Sequence, residues 1–247
     1  MNEKSRRHRR LRSEASSSEG PSLRVIPFRE NGEEAVHLSR RQRLQLAGIA
    51  TKLHLPARMI LYREESAAEW VFIVSQGVVK TFRDLSSGRR RGLAFLFADD
   101  VFGLAESGHY VNTAQSVTPV TLYRIRVEAL TDLLLHDSAL HLFFLCKLAD
   151  ELRRSLRQTI IVSRRDAIGR MAMFLHMLEQ RSHQDGHRSG IEIPMTRSDT
   201  ANYLGLSVET VSRASRELER HRIVTFAGVH AAKVVDRDQF EKLAVAA

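Results

Sequence analysis

Three polar residues near the C-terminal end, Glu209, Ser212 and Arg213, have side chains and a spacing that suit contact with the edges of DNA bases. Arginine can donate two hydrogen bonds to guanine, glutamate can accept one from the amino group of cytosine, and serine can touch a thymine methyl group or a base edge. Residues three and four apart lie on one face of a helix. This spacing predicts a helix that reads base sequence in the major groove.

A second group of residues beside this helix carries hydroxyl or guanidinium groups, which suit contacts to DNA phosphates. Such contacts fix the register of a protein on DNA without reading its sequence. The predicted phosphate contacts are Thr196, Arg197, Ser207, Thr210 and Arg216.

The elements that must position these groups are predicted from the segment TRSDTANYLGLSVETVSRASREL, residues 196–218. A first helix covers about 197–204, Gly205 begins a tight turn, and Ser207 caps a second helix. A short strand at 191–193 and a hairpin at 223–235 predict a winged helix-turn-helix. The two helices are expected to pack through Ala201, Leu204, Leu206, Val211 and Leu218.

A longer helix is predicted at about 138–164, where apolar or small residues alternate in steps of three and four. At roughly 40 Å it has no partner of similar length elsewhere in the chain. We therefore expect it to pair with a second copy and form a homodimer. Packing against the β-roll of the same chain would explain one apolar face of this helix. It would not explain the additional apolar residues Phe143, Phe144 and Ile160. The predicted dimer interface is Leu142, Leu145, Ala149, Leu152, Leu156 and Thr159.

Upstream of this helix, at about 53–126, short segments rich in β-branched and aromatic residues predict a small jelly roll. Short helices are expected at 127–136, 166–181 and 239–245. Asp99-Asp100 is interpreted as a turn between strands.

The string YLGLSVETVSR closely resembles the recognition motif of the Crp/Fnr family of bacterial transcription regulators, and within it the Fnr/FixK branch. IVSQGVVK, residues 73–80, is similar to the central hairpin of the family's β-roll. The resemblance, from about Leu53 to Leu243, implies an α+β fold. This fold has an N-terminal cyclic-nucleotide-binding-like β-roll (jelly roll), a long dimerisation helix and a C-terminal winged helix-turn-helix domain. The expected divisions are a basic arm at 1–25, the β-roll at 26–137, the dimerisation helix at 138–165 and the DNA-binding domain at 166–247.

The resemblance also implies a target. Fnr/FixK proteins with Glu, Ser and Arg at the positions of Glu209, Ser212 and Arg213 bind sites resembling the palindrome TTGAT-N4-ATCAA. The Crp branch usually has Arg where this chain has Val208, and Gly where it has Ser212. We therefore expect an Fnr-type palindrome read by a homodimeric activator, with RNA polymerase as a partner implied by the family.

The residues that form two known sensing sites of the family do not occur at the matching positions of this sequence. The Crp-type nucleotide pocket uses Gly-Glu and Arg-Ser or Arg-Thr pairs, whereas this chain has Gly103-Leu104 and Asn112-Thr113. A cyclic phosphate would therefore lack its bidentate cation. The Fnr-type iron–sulfur cluster needs four cysteines, and the chain contains one. We expect no cofactor and no metal, and a regulator that works without a small-molecule effector. The alternative is a regulator gated by haem or another small ligand in the β-roll.

Other residues leave alternatives open. Cys146 fits a small buried hydrophobe better than a redox-active thiol that loosens the dimer. His183 and His187 are a weak metal candidate in a polar loop. His109 and His141 are a weak haem candidate at the junction between the β-roll and the long helix.

Composition sets wider bounds. The net charge is +9, of which residues 1–12 supply +5 through six Lys or Arg and one Glu. This charge suits a polyanion partner, although the arm is also typical of a disordered, solvated tail. No apolar run approaches membrane-spanning length and no signal peptide is apparent, so a cytoplasmic location without a membrane partner is expected. Nucleotide-loop, nucleophile-elbow and zinc-protease motifs are absent, which argues against an enzyme.

Overall fold

The computed structural model describes residues 24–25, 36–105, 107–164, 166–184 and 190–245. Most of the predicted basic arm lies outside these ranges. The first half contains β1 (Arg24–Val25), β2 (Val36–His37), α1 (Arg40–Ile49), β3 (Ala50–Leu55), β4 (Ile60–Tyr62), β5 (Trp70–Gln76), β6 (Val79–Asp84), β7 (Arg90–Leu96), β8 (Val101–Phe102), β9 (Thr113–Ser116) and β10 (Val120–Arg126).

Two four-stranded antiparallel sheets form the β-roll, in the strand orders β3-β10-β5-β8 and β4-β9-β6-β7. Alternate residues of β7 point to opposite faces, as the period of a strand requires. Leu96 and Ala94 face the interior of the roll, whereas Phe95 faces outward into a different core. The jelly-roll prediction is confirmed.

The prediction for this region did not include α1 or β2, and it did not mark β9 as a strand. β3 begins three residues before the predicted edge, at Ala50, and β9 is the polar sequence TAQS, which has no run of β-formers. Pairing with β4 and β6 makes β9 a strand, because its backbone groups need partners inside the sheet. α1 begins at a capping box made by Ser39 and Gln42.

The second half contains α2 (Val127–His136), α3 (Ser138–Ser163), α4 (Ala167–Gln184), β11 (Ile191–Glu192), α5 (Arg197–Leu204), α6 (Val208–Arg220), β12 (Val224–Ala227), β13 (Ala231–Val234) and α7 (Arg237–Val245). The strands form one sheet in the order β11-β13-β12, so the helix-turn-helix carries a wing as predicted. Among the described helices, none is long and apolar enough to cross a membrane.

Two helix ends differ from the prediction. α4 continues past residue 181 to Gln184, and the buried hydroxyl of Ser182 donates to the carbonyl of Leu178 there. α7 starts two residues early, at Arg237, where the Asp236 carboxylate accepts a hydrogen bond from the amide of Gln239. Asp236 thus satisfies an amide of the first turn, which has no partner within the helix, and favours the earlier start of α7.

The long helix α3 has two different faces. Leu140, Phe143, Phe144 and Cys146 are buried in a core shared with α2 and the β-roll of the same chain. The expectation that packing on the same chain would leave Phe143 and Phe144 unexplained is therefore wrong. Their rings fill the gap between the helix and the roll, whereas Ile160 is exposed as expected.

Candidate nucleic-acid interface

The helix α6 separates apolar and polar residues cleanly around its axis. Val211, Ala214 and Leu218 are buried against α5 and the rest of the winged domain, together with the small residue Ser215. The opposite face exposes, or partly exposes, the polar residues Glu209, Ser212, Arg213 and Arg216. The predicted inner residues of both helices are buried or partly buried in one core.

The turn between α5 and α6 has the conformation that the sequence predicts. Gly205 adopts a left-handed backbone with φ of 65°, and its amide donates to the carbonyl of Ala201. The hydroxyl of Ser207 then accepts a hydrogen bond from the amide of Thr210 at 3.1 Å, and the two hydroxyls lie 3.0 Å apart. Two predicted phosphate contacts, Ser207 and Thr210, thus meet at the N-terminus of α6, where the helix dipole favours an anion.

Two further predicted phosphate contacts, Thr196 and Arg197, lie at the start of α5. Thr196 and Asp199 form a capping box, in which the Thr196 hydroxyl accepts from the Asp199 amide at 3.1 Å. The guanidinium of Arg197 is half-buried and donates to the hydroxyl of Ser215 at 3.3 Å. Arg197 therefore also ties α5 to α6.

Charge on this surface is distributed unevenly. A hydrogen bond from its own backbone amide, the Ser207 hydroxyl and the charge of Arg213 lower the pKa of Glu209, so the carboxylate stays an acceptor at neutral pH. Arg220, one turn beyond Arg216, pairs with Glu217 at 2.6 Å, and part of its charge is compensated. Arg213 and Arg216 are the exposed cations nearest the predicted reading edge.

The residues predicted for the dimer interface lie mostly on the exposed face of α3. Leu142, Leu145, Leu152 and Leu156 are 55–62% exposed in the single chain, and Thr159 is also exposed. Ala149 is partly buried. A stripe of four exposed leucines on one helix is a large apolar surface for a protein to leave in water.

Comparisons with known proteins agree with this architecture. Residues 169–243 match the Crp-like helix-turn-helix domain, and residues 52–137 match the cyclic nucleotide-binding domain. The nitrogen fixation regulation protein FixK of Rhizobium meliloti is 30% identical over 169 residues, which cover 68% of this chain and 75% of FixK. The chain belongs to the Crp/Fnr family.

Other Crp/Fnr relatives support the FixK-like branch. The transcriptional activatory protein AadR of Rhodopseudomonas palustris is 29% identical over 75% of this chain and 78% of AadR. The structure of FixK2 from Bradyrhizobium japonicum superposes with a TM-score of 0.73 at 29% identity, covering 79% of this chain and 97% of FixK2. Crp/Fnr proteins are transcription regulators and not enzymes.

Aromatic rings fill the interior of this Crp/Fnr β-roll. Tyr62 stacks on Tyr110 with ring centroids 3.7 Å apart, and Phe72 stacks on Phe102 at 5.2 Å. Burial raises the pKa of Tyr62 far above its usual value, and the Tyr62 hydroxyl donates to the amide oxygen of Asn112 at 3.2 Å. Asn112 is thus engaged inside the roll.

The neighbouring pocket positions also serve the fold. Leu104 packs into the core beneath α3, and the Thr113 hydroxyl accepts from the Glu64 amide at 3.1 Å. Gly103 has φ of 82°, and a Cβ there would lie 3.0 Å from the carbonyl oxygen of Trp70. At the positions that match the nucleotide pocket of a Crp-type regulator, these residues pack the core, bond the backbone and form a turn.

The structure describes the side chains of two of the histidine candidates, His109 and His141. His109 lies beside the Ser107 carbonyl, and His141 is on the exposed side of α3. The side chains of His183 and His187 lie outside the described residues. Across the described parts of the chain, no group of three His, Cys, Asp or Glu residues is arranged to hold a metal. Cys146 is a buried free thiol, which agrees with its interpretation as a small hydrophobe.

Sequence reasoning missed two polar links. Asp100, treated as a turn residue, is buried and pairs with Arg154 of α3 and with Arg181 of α4 at 3.3 Å. Lys80 of β6 pairs with Asp199 of α5. No spacing rule relates residues so far apart, so only the packed chain identifies these pairs.

Proposed function

We propose that this Crp/Fnr chain is a homodimeric activator that reads an Fnr-type palindrome resembling TTGAT-N4-ATCAA without needing a cyclic nucleotide. The observation that carries the proposal is the exposed polar edge of α6. Arg213 is assigned to guanine, Glu209 to cytosine, and Ser212 to a thymine methyl group or base edge.

The phosphate contacts are assigned to the rim of the same surface. Thr196, Ser207 and Thr210 are hydroxyl donors at the N-termini of α5 and α6. Arg216 supplies an exposed charge. Arg197 donates one hydrogen bond to Ser215, and its other N–H groups are assigned to a phosphate.

The homodimer is supported by the exposed leucine stripe of α3. Pairing Leu142, Leu145, Leu152 and Leu156 with their copies would remove this apolar surface from water, with Ala149 and Thr159 in the same seam. Two reading helices related by a two-fold axis would meet half-sites one helical turn, about 34 Å, apart.

Independence from a cyclic nucleotide is supported by the filled β-roll. The stacked rings of Tyr62 and Tyr110 occupy the interior, and the half-buried amide of Asn112 is engaged by the Tyr62 hydroxyl. Leu104 supplies no carboxylate for a ribose. The names of the relatives, which include a nitrogen fixation regulator and an activatory protein, favour activation. Contact with RNA polymerase and a cytoplasmic location complete the proposal, and we retain the divisions 26–137, 138–165 and 166–247.

The test is fluorescence anisotropy of ligand-free protein on a TTGAT-N4-ATCAA duplex at fixed salt, with a scrambled duplex as competitor. We expect selective binding without any added ligand, and an unchanged affinity when cyclic AMP is present. Equal binding to both duplexes would contradict the palindrome. A visible absorbance band in the purified protein would instead favour the haem-gated alternative.

A further inference from the structure

The β-roll holds the first helix of the helix-turn-helix directly. Phe95 projects from the outer face of β7 into the core of the DNA-binding domain, where its ring centroid lies 5.1 Å from that of Tyr203 and 6.1 Å from that of Phe174. Val78, the residue before β6 of the same sheet, also belongs to this core. One hydrophobic core therefore spans the roll and the DNA-binding domain.

A glycine permits the close approach. A Cβ built on Gly92 of β7 would lie 3.0 Å from both the Cα and the amide nitrogen of Tyr203 in α5. The backbone of Gly92 is not left-handed, so the residue serves for space and not for conformation. Because the contacted atoms belong to the helix backbone, a Cβ at position 92 would require β7 and α5 to move apart by a few tenths of an ångström.

Polar contacts fix the same helix from two further elements. Lys80 of β6 pairs with Asp199, whose carboxylate also belongs to the capping box of α5, and both side chains are largely buried. Gln158 of the dimer helix α3 donates a hydrogen bond to the carbonyl of Tyr203. The helix α5 is thus held by the roll and by the dimer helix together.

Fixing α5 also fixes the reading helix, because α6 packs on α5 through Ala201, Leu204 and Val211. The separation of two reading helices in a homodimer then depends on how each α5 sits on its own roll. We infer that Gly92 and Lys80 are positioning residues that set the half-site spacing, so that the β-roll acts as a spacer for DNA reading. This inference rests on the proposed function.

The test compares spacer preference between full-length proteins. Affinities are measured by anisotropy for TTGAT and ATCAA half-sites separated by four or six base pairs, and for a duplex with a single half-site. The variants are Gly92→Ala and Lys80→Met. Their matched controls are Gly48→Ala, where no atom lies within 4 Å of an added Cβ, and Lys52→Met on the exposed side of β3.

We expect Gly92→Ala and Lys80→Met to reduce the preference for the four-base-pair spacer by about fivefold or more, comparable to the cost of one mismatched base pair. Binding to the single half-site should stay at the wild-type level, because the reading edge is untouched. The controls should keep the wild-type preference. An unchanged preference in Gly92→Ala, or an equal loss on all three duplexes, would overturn the inference.

A DNA-free measurement separates this inference from the proposed function. If the wild-type protein does not prefer the palindrome over a scrambled duplex, the proposed target is wrong. Hydrogen exchange then tests, without DNA, whether Gly92 positions α5 on the β-roll. We expect faster exchange of the amides of Arg197–Leu204 in Gly92→Ala than in Gly48→Ala. Equal exchange in the two variants would refute a positioning role for Gly92.

Discussion

At the scale of single residues, the reading edge depends on which charges are left available to DNA. The pKa of Glu209 is lowered by its own backbone amide, by the Ser207 hydroxyl and by the charge of Arg213, which lies one turn further along α6. Arg220 shares its charge with Glu217 on the same helix. We therefore predict the base-reading role for Arg213, and Arg220 offers an internal comparison.

Replacing Arg213 with alanine should cost about 1–3 kcal/mol of binding free energy on the palindrome and relax specificity at the guanine that it contacts. Competition anisotropy with duplexes that vary this base pair would measure both effects. Arg220→Ala should weaken binding to matched and scrambled duplexes alike. If Arg213→Ala did the same, its assignment to a base would be wrong.

Ser207 combines two roles that a pair of substitutions can separate. Ser207→Ala removes the cap of α6 and should lower the free energy of unfolding by about 1 kcal/mol. Ser207→Asp keeps a capping oxygen, so unfolding should change little, but its charge would face a phosphate and binding should fall. Chemical denaturation and anisotropy measure the two effects. Full DNA affinity in Ser207→Asp would argue against a phosphate near this residue.

At the scale of elements, the helix α3 packs on its own chain with one face and exposes the opposite face. Its aromatic face, with Phe143 and Phe144, is buried in the same chain, whereas its leucine stripe is exposed. Each face has a distinct expected response to substitution, because one belongs to the fold of the protomer and the other to the proposed dimer.

A charge placed in the stripe should dissociate the dimer. We expect Leu152→Glu to yield a folded monomer by sedimentation and to lose binding to the palindrome, since both half-sites must be engaged together. Leu135→Glu, at an exposed leucine of α2 outside the stripe, should leave the dimer intact. A dimeric Leu152→Glu protein would place the interface elsewhere.

Truncation on the other face should act on stability. Phe143→Ala removes a ring that is fully buried between α3 and the roll, and we expect a loss of about 3–5 kcal/mol in the free energy of unfolding. Denaturant titration at several protein concentrations would separate this loss from any change in dimer affinity. A loss below 1 kcal/mol would contradict the burial of this ring.

At the scale of the whole molecule, Asp100 connects three parts of the chain. Its carboxylate accepts from the Phe97 amide at 2.9 Å and pairs with Arg154 of α3 and Arg181 of α4. The turn between β7 and β8 is thereby tied to the long helix α3 and to the helix α4 of the DNA-binding domain. Removing one member of a buried ion pair leaves its partners without a counter-charge.

We expect Asp100→Ala to lower the free energy of unfolding by about 3–5 kcal/mol, as measured by chemical denaturation. The matched substitution is Asp84→Ala, which breaks the exposed pair with Arg90 and should cost no more than about 1 kcal/mol. Similar losses in both variants would mean that Asp100 is not an internal link between elements.

Local signals in the sequence were enough for much of the fold and for the candidate site. The turn at Gly205 and the cap at Ser207 depend on neighbouring residues alone, so α5 and α6 follow from their own letters. The heptad spacing of α3 predicts its leucine stripe in the same way. The roles of Glu209, Ser212 and Arg213 in DNA reading stay predictions.

Tertiary packing determined the features that the hydrophobic periodicity of the sequence does not predict. Phe143 and Phe144 turned inward because the β-roll offers an apolar surface, and β9 became a strand because β4 and β6 supply its hydrogen bonds. The contacts of Gly92 with Tyr203 and of Lys80 with Asp199 join residues more than one hundred positions apart. The sequence by itself determined the helices α2 to α7, the turn at Gly205 and the exposed polar edge of α6, because these depend on near neighbours. Only the folded chain determined how the roll holds them, because that depends on which distant surfaces meet.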